Sequence, residues 1–133
     1  MSKILEVVNR IKHKDNLGNC SLEDIKAAEQ ALGLKFAGEY IELLTNFGTL
    51  TTDYLDISST LKDPFYDVTH LTKDVRNRHK GLPNDLYVVY DVHIDGIVIL
   101  QNASGKVFSI DETGSLMEAY DSLAAFISKI EGV

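Results

Sequence analysis

Residues 86–100, with the sequence LYVVYDVHIDGIVIL, decide the fold. They form two runs of β-branched, aromatic and aliphatic residues, which are typical of strands, separated by Asp95 and Gly96. Asp-Gly between two such runs predicts a β-hairpin with a two-residue loop. This register places Val92 opposite Ile99, and it predicts one continuously apolar face that packs against helices.

The opposite face of this hairpin mixes polar and apolar residues. The same register pairs Asp91 with Leu100 and His93 with Val98, so we expect this face to meet solvent or a partner. Turns rich in glycine and polar residues follow, which predict an antiparallel meander ending in a short edge strand. The further strands are expected over residues 106–111 and 116–119.

The first half of the chain has apolar residues at helical spacing instead. Ser21 is expected to cap a helix that ends at Gly33, and Gly48 to end the following helix. We predict one α+β domain over residues 1–133, an antiparallel β-meander sheet packed against N-terminal helices and a C-terminal helix. The expected helices cover residues 2–13, 22–32, 38–47 and 68–79, with a last one capped by Asp121 and burying Leu123, Phe126, Ile127 and Ile130; a short strand is expected over residues 53–57.

Composition and charge narrow the possible partners. The single cysteine among 133 residues excludes an internal disulfide. The net charge is −7, and residues 81–133 carry eight acids and only two bases. This acidic second half of the chain repels nucleic acid and attracts a basic partner. We find neither a signal peptide nor a membrane-spanning stretch, so we expect a cytoplasmic protein without membrane contact.

Motifs for catalysis or cofactor binding are weak. The run from Asp91 to Gly96 starts like a calcium loop, but His93 occupies a position that needs an oxygen ligand, and Asn102 the position that needs a bidentate Glu. Asp91 and His93 alone are too few ligands for a metal site. Cys20 has a structural explanation as a hydrophobic staple with Ile25. We therefore expect no enzyme activity and neither a cofactor nor a metal.

One basic cluster stands out in the sequence. It lies on one face of the helix expected over residues 68–79 and extends just beyond its end. No aromatic residues separate its cations, so we expect a solvated helix face. Its members are Lys73, Arg76, Arg78, His79 and Lys80.

Tyrosines beside aspartates are the most suggestive feature. Tyrosine supplies anchors for protein binding and aspartate attracts a basic partner, although half or more of the tyrosines are expected to be core or rim residues. The tyrosines considered are Tyr54, Tyr66, Tyr87, Tyr90 and Tyr120. The candidate binding residues are Asp53, Tyr54, Asp56, Tyr90, Asp91, His93 and Asp95.

The order of motifs resembles a known family. Residues 25–36 (IKAAEQALGLKF) and 39–48 (EYIELLTNFG) resemble the first helices of the SUKH superfamily, the Smi/Knr-type fold. Residues 82–89 (LPNDLYVV) and 105–108 (GKVF) resemble its central meander, and residues 121–127 (DSLAAFI) its closing helix.

This resemblance implies a binding protein without catalytic residues. Bacterial members are similar to immunity proteins that neutralise secreted toxin domains, often nucleases, and fungal relatives are scaffolds in cell-wall signalling. The expected function is therefore an immunity protein that binds a cognate, basic toxin domain. The alternatives are a cytoplasmic scaffold or regulatory protein of the same fold without a toxin partner, and a small metal-dependent enzyme that uses Asp91 and His93.

Overall fold

The computed structural model describes residues 2–92 and 96–133, and it confirms the α+β class. Five helices and two antiparallel sheets make up the described part of the chain. The helices are α1 (Lys3–Asn9), α2 (Leu22–Leu32), α3 (Gly38–Phe47), α4 (Val68–Arg78) and α5 (Leu123–Glu131). The strands are β1 (Lys14–Asn16), β2 (Leu50–Thr52), β3 (Tyr87–Asp91), β4 (Val98–Gln101), β5 (Val107–Ile110) and β6 (Leu116–Tyr120).

The capping residues in the sequence correctly predicted both ends of α2 and the end of α3. The Ser21 hydroxyl accepts the Asp24 amide at 3.1 Å, and Gly33 ends α2 in the left-handed conformation, with φ 67°. Gly48 ends α3 with φ 68° and ψ −128°. A Cβ at Gly48 would lie 1.2 Å from the Gly18 carbonyl oxygen, so only glycine permits this close approach.

The predictions for the N-terminal segment and for residues 53–57 were wrong in detail. Helix α1 ends at Asn9, and the following residues form β1, which pairs with β2. Residues 53 and 54 form a tight turn, in which the Thr52 amide donates to the Leu55 carbonyl at 2.8 Å, and Asp56 on the returning arm forms a single antiparallel bridge to Thr51. Backbone pairing with β2, rather than the helical spacing of the first segment or the alternating polarity of the second, decides both segments.

The four-stranded sheet has the strand order β3-β4-β5-β6, as a meander requires. The hairpin register differs from the prediction, because Ile99 lies opposite Tyr90 and not Val92. The Val92 amide donates to the Ile97 carbonyl, so the connection is longer than two residues. The expected loop residue Asp95 lies outside the described residues. The shift is two residues at Tyr90, which keeps this side chain on its predicted face, since sheet faces alternate with period two. An irregularity between Val88 and Tyr90 then places Val88 on the opposite face, with Leu100, which the alternation did not predict.

Both faces of the strand β4 are buried, which corrects the expected mixed face. Val98 and Leu100 are fully buried in a cluster with Leu71 and Val75 of α4. On the other face, Ile99 joins the larger core formed with α1, α2, α3 and α5. Asp91 and Leu100 therefore do not form an open, partner-facing surface together.

The edge strand β3 is covered by side-chain hydrogen bonds. The Val88 amide donates to the Thr72 hydroxyl at 3.0 Å, and the Ser58 hydroxyl donates to the Val88 carbonyl at 2.6 Å. The Ser58 amide also donates to the Val89 carbonyl at 2.8 Å. These hydrogen bonds satisfy backbone groups at the open edge of β3 and hold residues 58–67 beside this strand.

The start of α5 also departs from the prediction. Ser122, rather than Asp121, is the cap, and its hydroxyl accepts the Ala125 amide at 3.0 Å. The Glu39 carboxylate accepts the amides of the two preceding residues, Leu123 and Ala124, at 2.7 and 3.1 Å. Ile130, expected to be buried, is 39% exposed on the last turn.

Candidate protein-binding surface

Six residues from three chain segments form what we call the acidic tyrosine surface. The segments are the turn after β2, the loop over residues 58–67, and the end of β3. All six side chains are exposed or half-buried. They are Asp53, Tyr54, Asp56, Tyr66, Tyr90 and Asp91.

The turn that carries Asp53 and Tyr54 is held by Thr52. Its hydroxyl accepts the Tyr54 amide at 3.1 Å and the Leu55 amide at 2.9 Å, and donates to Glu131 Oε2 at 2.6 Å. Tyr54 is 64% exposed. A large aromatic side chain on a fixed turn binds at a low cost in conformational entropy.

Tyr90 joins this turn to the sheet. Its hydroxyl donates to the Tyr54 carbonyl at 3.1 Å, and its ring lies 6.4 Å from the ring of Phe126 on α5. The structure therefore brings together Tyr54 and Tyr90, which the sequence analysis selected from positions far apart in the chain.

Asp56 carries negative charge close to two phenols. Burial, followed by the charges of Asp56 and Asp91, raises the pKa of Tyr90. Burial, followed by the charges of Asp56 and Asp63, raises the pKa of Tyr66. Both phenols therefore stay protonated at neutral pH, so this surface offers hydroxyl donors beside carboxylate acceptors.

The loop over residues 58–67 adds aromatic residues that the predicted site lacked. The rings of Phe65 and Tyr66 lie edge to face at 5.1 Å, and Phe65 is 45% exposed. The base of the loop is closed by the Ser59 amide, which donates to the Tyr66 carbonyl at 2.9 Å. Adjacent aromatics between Asp63 and Asp67 were the signal in the sequence that could have identified them.

The other candidate residues have different positions. His93 and Asp95 lie outside the described residues, so their proposed roles stay predictions. Tyr87 is fully buried, and Tyr120 packs against Phe126 with ring centroids 5.4 Å apart. These two tyrosines belong to the core and its rim, and Tyr90 also packs against the core, in agreement with the expectation that half or more of the five are core or rim residues.

The basic cluster on α4 is less solvated than predicted. One Arg76 nitrogen donates to the Leu32 carbonyl at 3.0 Å and to the Asn84 carbonyl at 2.9 Å, so this side chain ties α2 to the segment before β3. Arg78 pairs with Asp74 at 3.2 Å. The cluster is also not the only one, because Arg10, Lys12, His13 and Lys14 form a second between α1 and β1.

Within residues 2–92 and 96–133, no three histidine, cysteine or acidic side chains are grouped as a metal site would require. In the same part of the chain, no helix combines the length and apolar character needed to cross a bilayer.

A comparison with protein families shows which family the chain belongs to. The SUKH_5 family, described as SMI1-KNR4 cell-wall, matches residues 1–130. The chain belongs to this family. The match confirms the resemblance identified from the sequence and spans both sheets and the described helices, except for the last residue of α5. No curated protein matches the chain at a significant level.

Proposed function

We propose that this SUKH-family chain is a cytoplasmic, non-catalytic immunity protein that binds and neutralises a cognate toxin domain. Family membership supports a binding role, and the acidic tyrosine surface supplies the physical means. The proposal depends on a single observation: Tyr54, Asp56 and Tyr90 lie together on one surface.

The chemistry of this surface favours a basic protein partner. Carboxylates at Asp53, Asp56 and Asp91 attract a basic patch and raise the rate of encounter. Tyr54 and Phe65 then supply exposed aromatic area, the kind of residue that dominates binding energy once it is desolvated. A toxin that acts on nucleic acid has such a basic patch at its active site, and a protein bound there blocks the substrate path.

Co-expression with the toxin domain encoded beside its gene tests the proposal. We expect the chain to rescue cells from killing and to co-purify with the toxin domain. The variant D53K/D56K should lose rescue, whereas D85K/E112K, with the same change in charge at exposed positions elsewhere, should keep it. Failure of the unmodified chain both to rescue and to form a complex would reject the proposal.

A scaffold role without a toxin is the second candidate, since the family description names the cell wall. It uses the same surface for a different partner. A chain that never protects against the neighbouring toxin, yet retains one basic cellular protein through Tyr54 and Asp56, would favour this role instead.

A further inference from the structure

The two outer strands of the four-stranded sheet differ in how their edges are covered. The edge of β3 is closed by hydrogen bonds with Thr72 and Ser58, whereas within residues 2–92 and 96–133 no strand pairs with the far side of β6. Met117, Glu118 and Ala119 in the middle of β6 are exposed, and this strand contains no proline. An open edge of this kind is a template for another strand.

The register of β6 identifies its free hydrogen-bonding groups. The Asp111 amide donates to the Ser115 carbonyl at 3.3 Å, so these two residues form a hydrogen-bonded pair where β6 leaves the turn. Because such pairs alternate along an antiparallel ladder, Met117 is the next residue of β6 to pair in this way with β5. The amides and carbonyls of Leu116 and Glu118 therefore point away from β5.

The charge along this edge is negative. Residues 111–121 carry four acids and no basic residue. A cavity of about 310 Å³ beside β6 and the start of α5 is lined by two of these acids, Glu118 and Asp121, and by no lysine or arginine. Lys106, just before β5, offsets one acid, because its ammonium pairs with Glu118 at 3.0 Å. The edge thus keeps an excess of carboxylates, which favours a basic occupant.

We propose that β6 is a second binding site, which takes an extended basic peptide segment as a further strand of the sheet. The main chain of the segment pairs with Leu116 and Glu118, and its lysine or arginine side chains meet the acids along the edge, Asp121 among them. Strands β3 and β6 are the opposite outer strands of the sheet, so this site lies away from the acidic tyrosine surface. The inference therefore goes beyond the proposed function, because both sites can be occupied at once.

A basic segment fits this edge better than a second copy of the chain does. Pairing of β6 with the β6 of another copy would bring two stretches of four acids each side by side, and like charges oppose such a contact. Nucleic acid meets the same repulsion, since its phosphates are also negative. A strand that carries lysine or arginine satisfies the free backbone groups and the charge together.

The test is an NMR titration of the full chain with a blocked octapeptide that alternates lysine and threonine, because threonine favours an extended backbone. We expect saturable shifts of the backbone amides of residues 115–121, and slower hydrogen exchange at the Leu116 and Glu118 amides because strand addition protects them. The same peptide with N-methyl groups on alternate residues keeps its charges but loses donors for the ladder. It should bind about tenfold more weakly or worse.

Matched variants test the contribution of charge. E118Q/D121N should weaken binding of the lysine–threonine peptide by about fivefold or more. E23Q/D85N, which removes two exposed acids elsewhere, should change binding by less than about twofold. A peptide that alternates glutamate and threonine should not bind.

Four results would overturn the proposal. They are unchanged affinity of E118Q/D121N with its melting temperature retained, equal binding of the N-methylated peptide, exchange at the Leu116 and Glu118 amides that the peptide does not slow, and a free chain that sediments as a dimer with these amides already protected. The last result would assign the edge to a second copy. Because the titration needs no toxin, its outcome is separate from that of the rescue experiment.

Discussion

Two groups of aromatic residues show how one residue type serves the fold in one region and the surface in another. In the core, the ring of Phe36 lies 5.1 Å from Tyr40 and 4.7 Å from Tyr87. Tyr54 on the acidic tyrosine surface and Phe65 on the adjoining loop are exposed and border carboxylates. The core rings are enclosed by α2, α3 and β3, whereas the surface rings stand on a turn and a loop.

Their hydroxyl groups differ in the same way. The buried Tyr87 hydroxyl accepts the Ala37 amide at 2.9 Å and donates to Gln101 Oε1 at 2.8 Å. Among the described residues, the Tyr90 hydroxyl bonds only to the Tyr54 carbonyl. Substitutions in the core should therefore change stability, and substitutions on the surface should change binding at nearly constant stability.

The largest expected effect is at Phe36. Phe36→Ala leaves a cavity between two aromatic rings and should lower the free energy of unfolding by about 3–5 kcal/mol. The matched substitution Phe65→Ala should change it by less than about 1 kcal/mol, because that ring is already half in solvent. Urea unfolding measures both. Equal losses in the two variants would remove the distinction between the regions.

Removing one buried hydroxyl should have the next largest effect. Tyr87→Phe leaves the Ala37 amide and Gln101 Oε1 without their partner, and should cost about 1–3 kcal/mol. Tyr54→Phe should stay within about 0.5 kcal/mol of the unmodified chain. Thermal melts monitored by circular dichroism can rank them, and a reversed order would contradict the hydrogen-bond assignment.

Alkaline pH should act through the core tyrosines. Burial first of all raises the pKa of both Tyr40 and Tyr87 in the folded chain above the ordinary value of about 10. Stability is thus complete below pH 10 and falls above it, because the unfolded chain releases protons that the folded chain keeps. Urea unfolding from pH 8 to 11 should show this decline, with a smaller slope in Tyr87→Phe. A flat profile would contradict the burial of these phenols.

The smallest effect is expected at Tyr90. Tyr90→Phe removes a half-exposed hydrogen bond to the Tyr54 carbonyl and should cost about 0.5–1 kcal/mol. Tyr120→Phe is the matched control, since its ring also packs on Phe126 and its hydroxyl has no partner among the described residues. Chemical denaturation measures the free energy of unfolding of both variants. An equal loss in each would show that the hydrogen bond adds nothing to stability.

The sequence predicted what depends on local signals. Ser21, Gly33 and Gly48 mark helix ends by short-range chemistry, and the alternation assigned the side chains of β4 to the correct faces, whereas the register shift between Val88 and Tyr90 reverses it along β3. The family resemblance rested on the same segments, because their spacing reflects the packing of helices on the meander.

The parts that failed depend on contacts between distant segments. Strand β1 exists because residues 14–16 pair with β2, which no pattern in those three residues reveals. The hairpin register follows from the longer connection after Val92, and the burial of Val98 from α4 lying on that face. The register shift between Val88 and Tyr90 brings Tyr87 and Tyr90 to the same core cluster, which no local pattern reveals.

The central claim is that the acidic tyrosine surface binds the partner, and calorimetric titration of the neighbouring toxin domain tests it most directly. Y54A/Y66A should raise the dissociation constant by about 100-fold or more at an unchanged melting temperature. L22A/M117A, which removes two apolar side chains that are 59% and 63% exposed elsewhere, should bind within about threefold of the unmodified chain. Full affinity in Y54A/Y66A, or its loss in L22A/M117A, would contradict the account.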